Sequence, residues 1–477
     1  MDTATKKAAG TYIGLVLALS LTGCATRPDQ PPLVQPRAIN SYASAASMGA
    51  PPVLWPSEGW WAKYQDPQLN RLVDEALSGS PSMAAAAARL RAAQAAEDIV
   101  AAAQSPQVSL NASAAEQKQS YNYLTPSNVT PQGWRSYGQA TLDFTWELDF
   151  WGRNRAALAA ATSELEANRI ELAQAKLVLS TAVVAEYAEL ARMFASWDSA
   201  AEAARVWADI ARLMTDRFAN ALETRAAAAQ AEARRATAEG NLLELDEQIG
   251  RQRHRLAALL GDGPDRGLSI EQPKYKLDQA FGLPRELALN LLGRRPDIAA
   301  ARLRVQARSS TIEQRQAAFY PNINLVGLFG AQSLGLGMLT KAGSGIGSIG
   351  PALSLPIFDG RLKGQLLSAR ADYEEAVAVY DQTITQALRE LADAALSLQA
   401  LDPQLRKAEE AVAATTMALG VANARYTAGL ANYIEVLSAE DSHLSSVRAL
   451  AELHSRSLSL DVALMRALGG GYQTTQN

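Results

Sequence analysis

The chain has 477 residues, of which 20% are charged, 48% hydrophobic and only 6% aromatic, with a formal net charge of −4. An acidic balance without a dense Lys/Arg block supplies no field for phosphates, so nucleic-acid binding is excluded as a leading function. An alanine-rich, aromatic-poor chain of this size is neither disordered nor a small compact domain; it points to long, closely packed helices.

The lone cysteine, Cys24, rules out an intramolecular disulfide. Before it come Lys6 and Lys7 and then Ala8 to Leu21, a mostly apolar run too short to cross about 30 Å of hydrocarbon. The pattern predicts a secretory signal over residues 1–23. Leu21-Thr22-Gly23-Cys24 resembles the bacterial lipobox, which implies acylation of Cys24 and a lipid anchor in membrane. Ala25, rather than aspartate, follows, which favours the outer membrane. Residues 24–65 read as an anchored tether, rich in Pro, Ser and Ala up to Pro56.

An internal duplication organises the rest. Ser80-Pro81 and Ser105-Pro106 bracket one helical stretch, and Arg295-Pro296 and Tyr320-Pro321 bracket another of the same length. Phe150-Trp151-Gly152-Arg153 answers Phe358-Asp359-Gly360-Arg361, Arg217-Phe218 answers Arg425-Tyr426, and Leu260-Gly261 answers Leu468-Gly469, each pair 208 residues apart. The reading is a first repeat over 66–261, a linker over 262–284, a second repeat over 285–469 and a tail over 470–477.

Each repeat is expected to run helix, strand, loop, strand, very long helix, turn, helix. Val108, Leu110, Ala112 and Ala114 alternate with polar residues, as do Ala140, Leu142, Phe144, Trp146 and Leu148, predicting strands near 107–116 and 137–149. Strands near 322–332 and 348–358 are weaker versions, with Pro351 and Pro356 each removing a ladder donor and the glycine-rich segment Gly327 to Gly350 expected to loop outward. Gly152 to Arg217, free of proline, would make a helix ~99 Å long, and Pro81 to Ser105 plus Thr224 to Leu260 sum to ~94 Å alongside it. The second copy uses Pro296 to Tyr320, Arg361 to Arg425 and Asn432 to Leu468, with a kink or local break expected at Pro403. Leu158, Leu165, Leu172 and Leu179 form one seven-residue seam, and Ile170, Leu177 and Val184 a second, so the long helix has neighbours on two sides.

Four strands with one apolar and one wet face cannot close a pore alone, because the smallest membrane barrels need about 8 strands and an open edge is forbidden in lipid. Three copies would share 12 strands, with Phe144, Trp146 and Leu148 toward lipid and Tyr121, Tyr123, Trp134 and Tyr137 as an aromatic girdle. Residues Leu292-Gly293-Arg294-Arg295-Pro296-Asp297-Ile298, Ala318-Phe319-Tyr320-Pro321-Asn322-Ile323 and the two strand-to-helix junctions resemble the TolC family, specifically its lipoprotein (NodT-like) branch of outer-membrane factors. The resemblance implies a mainly α fold with a small β part: a homotrimer whose shared 12-stranded transmembrane β-barrel continues into a periplasmic α-helical barrel. It further implies a passive exit duct for efflux, fed by an inner-membrane pump of the resistance-nodulation-division type through a periplasmic adaptor (membrane fusion protein).

The same resemblance assigns the far turns to the periplasmic mouth and to adaptor docking. Arg425, Tyr426, Gly429 and Leu430 match the family's Arg-aromatic-x-x-Gly turn, whereas Arg217, Phe218, Ala221 and Leu222 carry alanine in place of the glycine. Glu435 falls where the family places gate carboxylates and is a candidate for a cation-favouring ring. No HExxH, CxxC or lipase-type serine elbow is present, and Asp143 and Glu147 suit a wet wall better than an acid/base pair, so no catalytic, cofactor or metal site is expected. The glycine pattern at Gly345 to Gly350 precedes a strand rather than a helix and does not mark a dinucleotide site. A type I protein-secretion duct and a non-conducting periplasmic scaffold lipoprotein are the competing readings.

Overall fold

The computed structural model describes residues 31–43, 45–122, 128–276, 282–284 and 287–473. The expected signal, Cys24 and Tyr123 lie outside the described residues. Eight helices and four strands are named here in chain order: α1 (Pro67–Gly79), α2 (Pro81–Ala102), β1 (Gln107–Lys118), β2 (Trp134–Glu147), α3 (Arg153–Ala219), α4 (Arg225–Leu260), α5 (Leu287–Arg294), α6 (Pro296–Ala317), β3 (Asn322–Leu334), β4 (Gly345–Ser354), α7 (Gly360–Thr427) and α8 (Tyr433–Ala467). The chain divides into two compact units, one formed mainly by 90–168 and 301–380, the other by 37–89, 169–300 and 381–477.

The first unit holds one antiparallel sheet in the order β1-β2-β3-β4. The middle pair joins the two repeats: Leu142 faces Phe329 and Phe144 faces Gly327. In β4, Ile349 lies opposite Gly327 and Leu353 opposite Ile323, so its apolar parity matches the other three strands. Two expectations change here. β4 ends at Ser354 rather than near residue 358, because Pro356 has no N–H to extend the ladder, while Pro351 is accommodated in an edge strand opposite Leu325. The glycine-rich segment is mostly strand, and only residues 335–344 connect β3 to β4. Below the sheet, the Trp146 indole N–H donates to the Gln104 carbonyl at 3.1 Å, and the Trp151 indole to the Pro321 carbonyl at 2.9 Å while its ring stacks on Tyr320. These bonds tie strand ends to the adjoining helices.

In the second unit the helices pack through alanine and medium-sized apolar side chains. Leu177, Leu179, Val184, Leu190, Leu256 and Leu260 are buried, and the seven-residue seams of α3 run through the first three. α1 begins where Asp66 caps it, accepting from the N–H groups of Gln68 and Leu69 at 2.9 and 3.3 Å with Pro67 at the first helical position. The second Asp66 oxygen accepts from the Tyr187 hydroxyl at 2.6 Å and the Lys274 N–H at 3.0 Å. Burial, reinforced by that bond to Asp66, holds the Tyr187 phenol well above its usual range. Arg295, almost fully buried, donates to Asp297 at 2.6 Å, to Glu390 at 3.1 Å and to the Ala467 carbonyl at 3.2 Å. It therefore joins α6, α7 and α8 at one point. α7 runs as one helix through Pro403, so the local break expected there is absent.

Candidate channel face and hairpin tips

The register sorts every sheet residue onto one of two faces, because side chains alternate with period two. One face carries the rows Val108–Phe144–Gly327–Ile349 and Leu110–Leu142–Phe329–Gly347. Its side chains are open to the surroundings: Leu110 is 75%, Ile349 66% and Phe329 52% exposed. A contiguous exposed apolar surface of this kind marks contact with lipid or a partner. The opposite face carries the rows Asn111–Thr141–Gly330–Ile346, Ser109–Asp143–Leu328–Ser348 and Gln107–Thr145–Val326–Gly350. The first hairpin is more polar than the second, which places Val326, Leu328 and Ile346 among the polar residues. Trp134, expected beside the strands, lies within β2, and Tyr137, expected in the aromatic girdle, stands instead on the polar face, where its hydroxyl donates to the Gln139 side chain at 2.8 Å.

At the far ends of the long helices, both turns close with the same hydrogen bonds. After α3 the Leu222 N–H donates to the Arg217 carbonyl at 2.8 Å and the Ala221 N–H to Phe218 at 3.0 Å; after α7 the Leu430 N–H donates to Arg425 at 2.8 Å and the Gly429 N–H to Tyr426 at 2.9 Å. This pair of bonds is the Schellman arrangement, and its left-handed residue is Ala221 (φ +57°) in one turn and Gly429 (φ +74°) in the other. Each following helix is capped in the same way. Thr224 accepts from the Ala227 N–H at 3.2 Å, and Asn432 from the Glu435 N–H at 3.2 Å.

The sequence-selected tip residues are brought together here, and some partners were not foreseen. The Arg217 guanidinium lies 5.4 Å from the centre of the Tyr426 ring, which meets Tyr433 edge-on at 4.8 Å. Arg425 pairs with Glu435 at 3.2 Å. Arg217 has Glu223 at 3.9 Å. Phe218, Leu222 and Leu430 project as exposed apolar side chains. Beneath them Trp207, Met214, Tyr433, Val436 and Leu437 form a buried cluster shared by both hairpins. Burial, with Tyr426 and Glu440 adding, pushes the Tyr433 phenol up to about 12. Burial and the Glu223 carboxylate also raise Tyr426, with Arg217 opposing. Tyr433 left no signal in the duplication, because the first repeat has Arg225 at the equivalent place.

One unit with a sheet that has an exposed apolar face and a polar reverse, and another built of long helices that end in tight turns, are the parts of a membrane-channel subunit of the mixed barrel-and-helix kind. The sequence pattern of the outer membrane efflux protein family matches residues 72–262 and 287–470. The chain therefore belongs to that family. It is an outer-membrane efflux channel protein extending into the periplasm. Among solved structures it is similar to the outer membrane protein VceC of Vibrio cholerae, with 46% identity and a TM-score of 0.84 over 88% of this chain and 100% of that one. The outer-membrane channel OprN matches with 29% identity and a TM-score of 0.82, over 94% and 99% of the two chains. Among relatives, the fusaric acid resistance protein FusA of Burkholderia cepacia is 36% identical, over 76% of this chain and 70% of that protein. The multidrug resistance outer membrane protein MdtP of Escherichia coli K12 is 31% identical, over 88% and 87%.

Proposed function

We propose that three copies of this chain close a 12-stranded barrel in the outer membrane and a helical tunnel beneath it, forming a passive exit duct with no catalytic step. The observation that carries this reading is the sheet: one face is apolar and exposed, and among the described residues β1 and β4 each have a single neighbouring strand. An open edge in hydrocarbon leaves backbone N–H and C=O groups unsatisfied at several kcal/mol each, so pairing β4 of one copy with β1 of the next removes the cost. Acylated Cys24 would add an anchor in the same membrane.

Small molecules enter from an inner-membrane pump, of the resistance-nodulation-division type, through a periplasmic adaptor. The names of the relatives, multidrug resistance and fusaric acid resistance, favour small-molecule cargo over a secreted protein. The adaptor docks on the turns, where Phe218, Leu222 and Leu430 offer apolar contacts beside Arg217, Tyr426 and Arg425. The shared bonding of the Ala221 and Gly429 turns supports equivalent docking at both. Within the trimer, Glu435, held by Arg425, rings the mouth. Planar-bilayer recording of the purified protein is expected to show discrete channel openings, with altered ion selectivity in Glu435→Ala. Absence of any conductance would favour the scaffold reading, and unchanged selectivity in the variant would remove Glu435 from the mouth.

A further inference from the structure

We infer that Asp143, on the polar face of the sheet, sets a cation preference within the barrel, separately from the mouth. The inference rests on the trimeric-barrel reading, which turns this face toward the lumen. Asp143 stands on the row Ser109–Asp143–Leu328–Ser348. Its Oδ2 accepts from the Asn111 amide at 2.5 Å and from the Thr141 hydroxyl at 3.2 Å. Both donors are neutral, so the carboxylate is oriented without being discharged, and among the described residues no cation pairs with it.

The other charges on this face do not cancel it. Arg135 lies eight residues along β2, or about 26 Å at ~3.3 Å per residue. That is several times the Debye length of about 8 Å at physiological salt. Glu147, at the other end, is already paired with Arg153 at 2.7 Å. The polar-face residues of β1, β3 and β4 carry no formal charge. Each copy therefore contributes one uncompensated negative charge to the barrel wall, and three copies make a ring of three.

Geometry also sets how strong the effect can be. Twelve strands about 4.8 Å apart and tilted about 40° close at a backbone radius of roughly 12 Å. At 10 mM salt the Debye length of about 30 Å spans such a bore, and at 1 M, at about 3 Å, it does not. The ring is thus a salt-dependent filter for charge, favouring basic solutes over acidic solutes of equal size.

The test is the reversal potential of the reconstituted protein across a KCl gradient. Asp143→Asn keeps an oxygen for Asn111 and removes the charge; it is expected to lower the potassium-to-chloride permeability ratio at least twofold in 10 to 100 mM salt, with the difference vanishing at 1 M. Ser109→Asp combined with Asp143→Asn moves the carboxylate to the neighbouring strand in the same row, and is expected to restore the ratio. Ser109→Asp alone should raise it, a readout that survives if Asp143→Asn does not insert. Open channels with unchanged ratios in these variants would overturn the inference, whereas absence of current in the unmodified protein would overturn the trimeric-barrel reading beneath it.

Discussion

The two repeats build the same three features from different residues: the start of the opening helix, the far turn and the polar wall. At the start of α2, Ser80 caps the helix with its hydroxyl, accepting from the Ser82 N–H at 3.3 Å; at the start of α6, Arg295 stands in the equivalent place inside a carboxylate cage. At the end of each repeat a glycine in the left-handed region comes back against that same start. A Cβ on Gly261 would sit 2.7 Å from Pro81 and 3.0 Å from the Gly79 carbonyl oxygen, and one on Gly469 would sit 2.0 Å from the Arg294 carbonyl oxygen. The duplication thus preserves a backbone contact while the polar chemistry around it has diverged, and the second repeat is the more tightly specified of the two.

That asymmetry can be measured by denaturant unfolding of the detergent-solubilised protein. Gly469→Ala is expected to be the most damaging change, at more than about 3 kcal/mol, since it combines left-handed strain with a clash against backbone. Gly261→Ala should cost less, because proline ring atoms are its nearest obstacle. Equal costs would remove the distinction. Arg295→Ala comes next: it strands Glu390 and Asp297 near a buried site and is expected to cost about 3 kcal/mol. Ser80→Ala at the matching cap should cost about 1 kcal/mol.

The far turns offer a reciprocal pair. Gly429→Ala places a Cβ at φ +74° and should destabilise by about 1 kcal/mol, whereas Ala221→Gly relieves the same strain and should be neutral or stabilising by less than that. If both changes destabilise equally, packing rather than backbone conformation governs the turns. The last expected effect is confined to alkaline pH. Tyr433 ionises near 12 in the folded chain against about 10 when unfolded, so its contribution is complete below pH 10 and is lost as pH rises from 10 toward 12. Tyr433→Phe should abolish that part of the alkaline loss.

Much of this architecture was legible because it depends on spacing. The 208-residue offset locates both repeats, and alternation at Val108–Ala114 and Ala140–Leu148 locates the first hairpin without reference to tertiary contacts. The second hairpin was blurred by its own composition: glycine inside β3 and β4 reads as loop, and Val326, Leu328 and Ile346 interrupt the polar parity. What stayed hidden depends on contacts across long separations. Arg295 meets Glu390 from 95 positions away, Trp146 meets Gln104 from 42, and nothing local announces either. Ala221 shows a third limit. Its side chain argues against the left-handed region, yet the Thr224 cap and the Leu222-to-Arg217 bond, with the cluster beneath the tips, hold the turn closed.

In the proposed trimer the channel wall is shared between copies, with β4 of one chain completing its ladder on β1 of the next. Native mass spectrometry of the protein released from detergent addresses this sharing most directly. A complex of three chains is the expected species, and a stable single chain as the dominant one would contradict the shared wall.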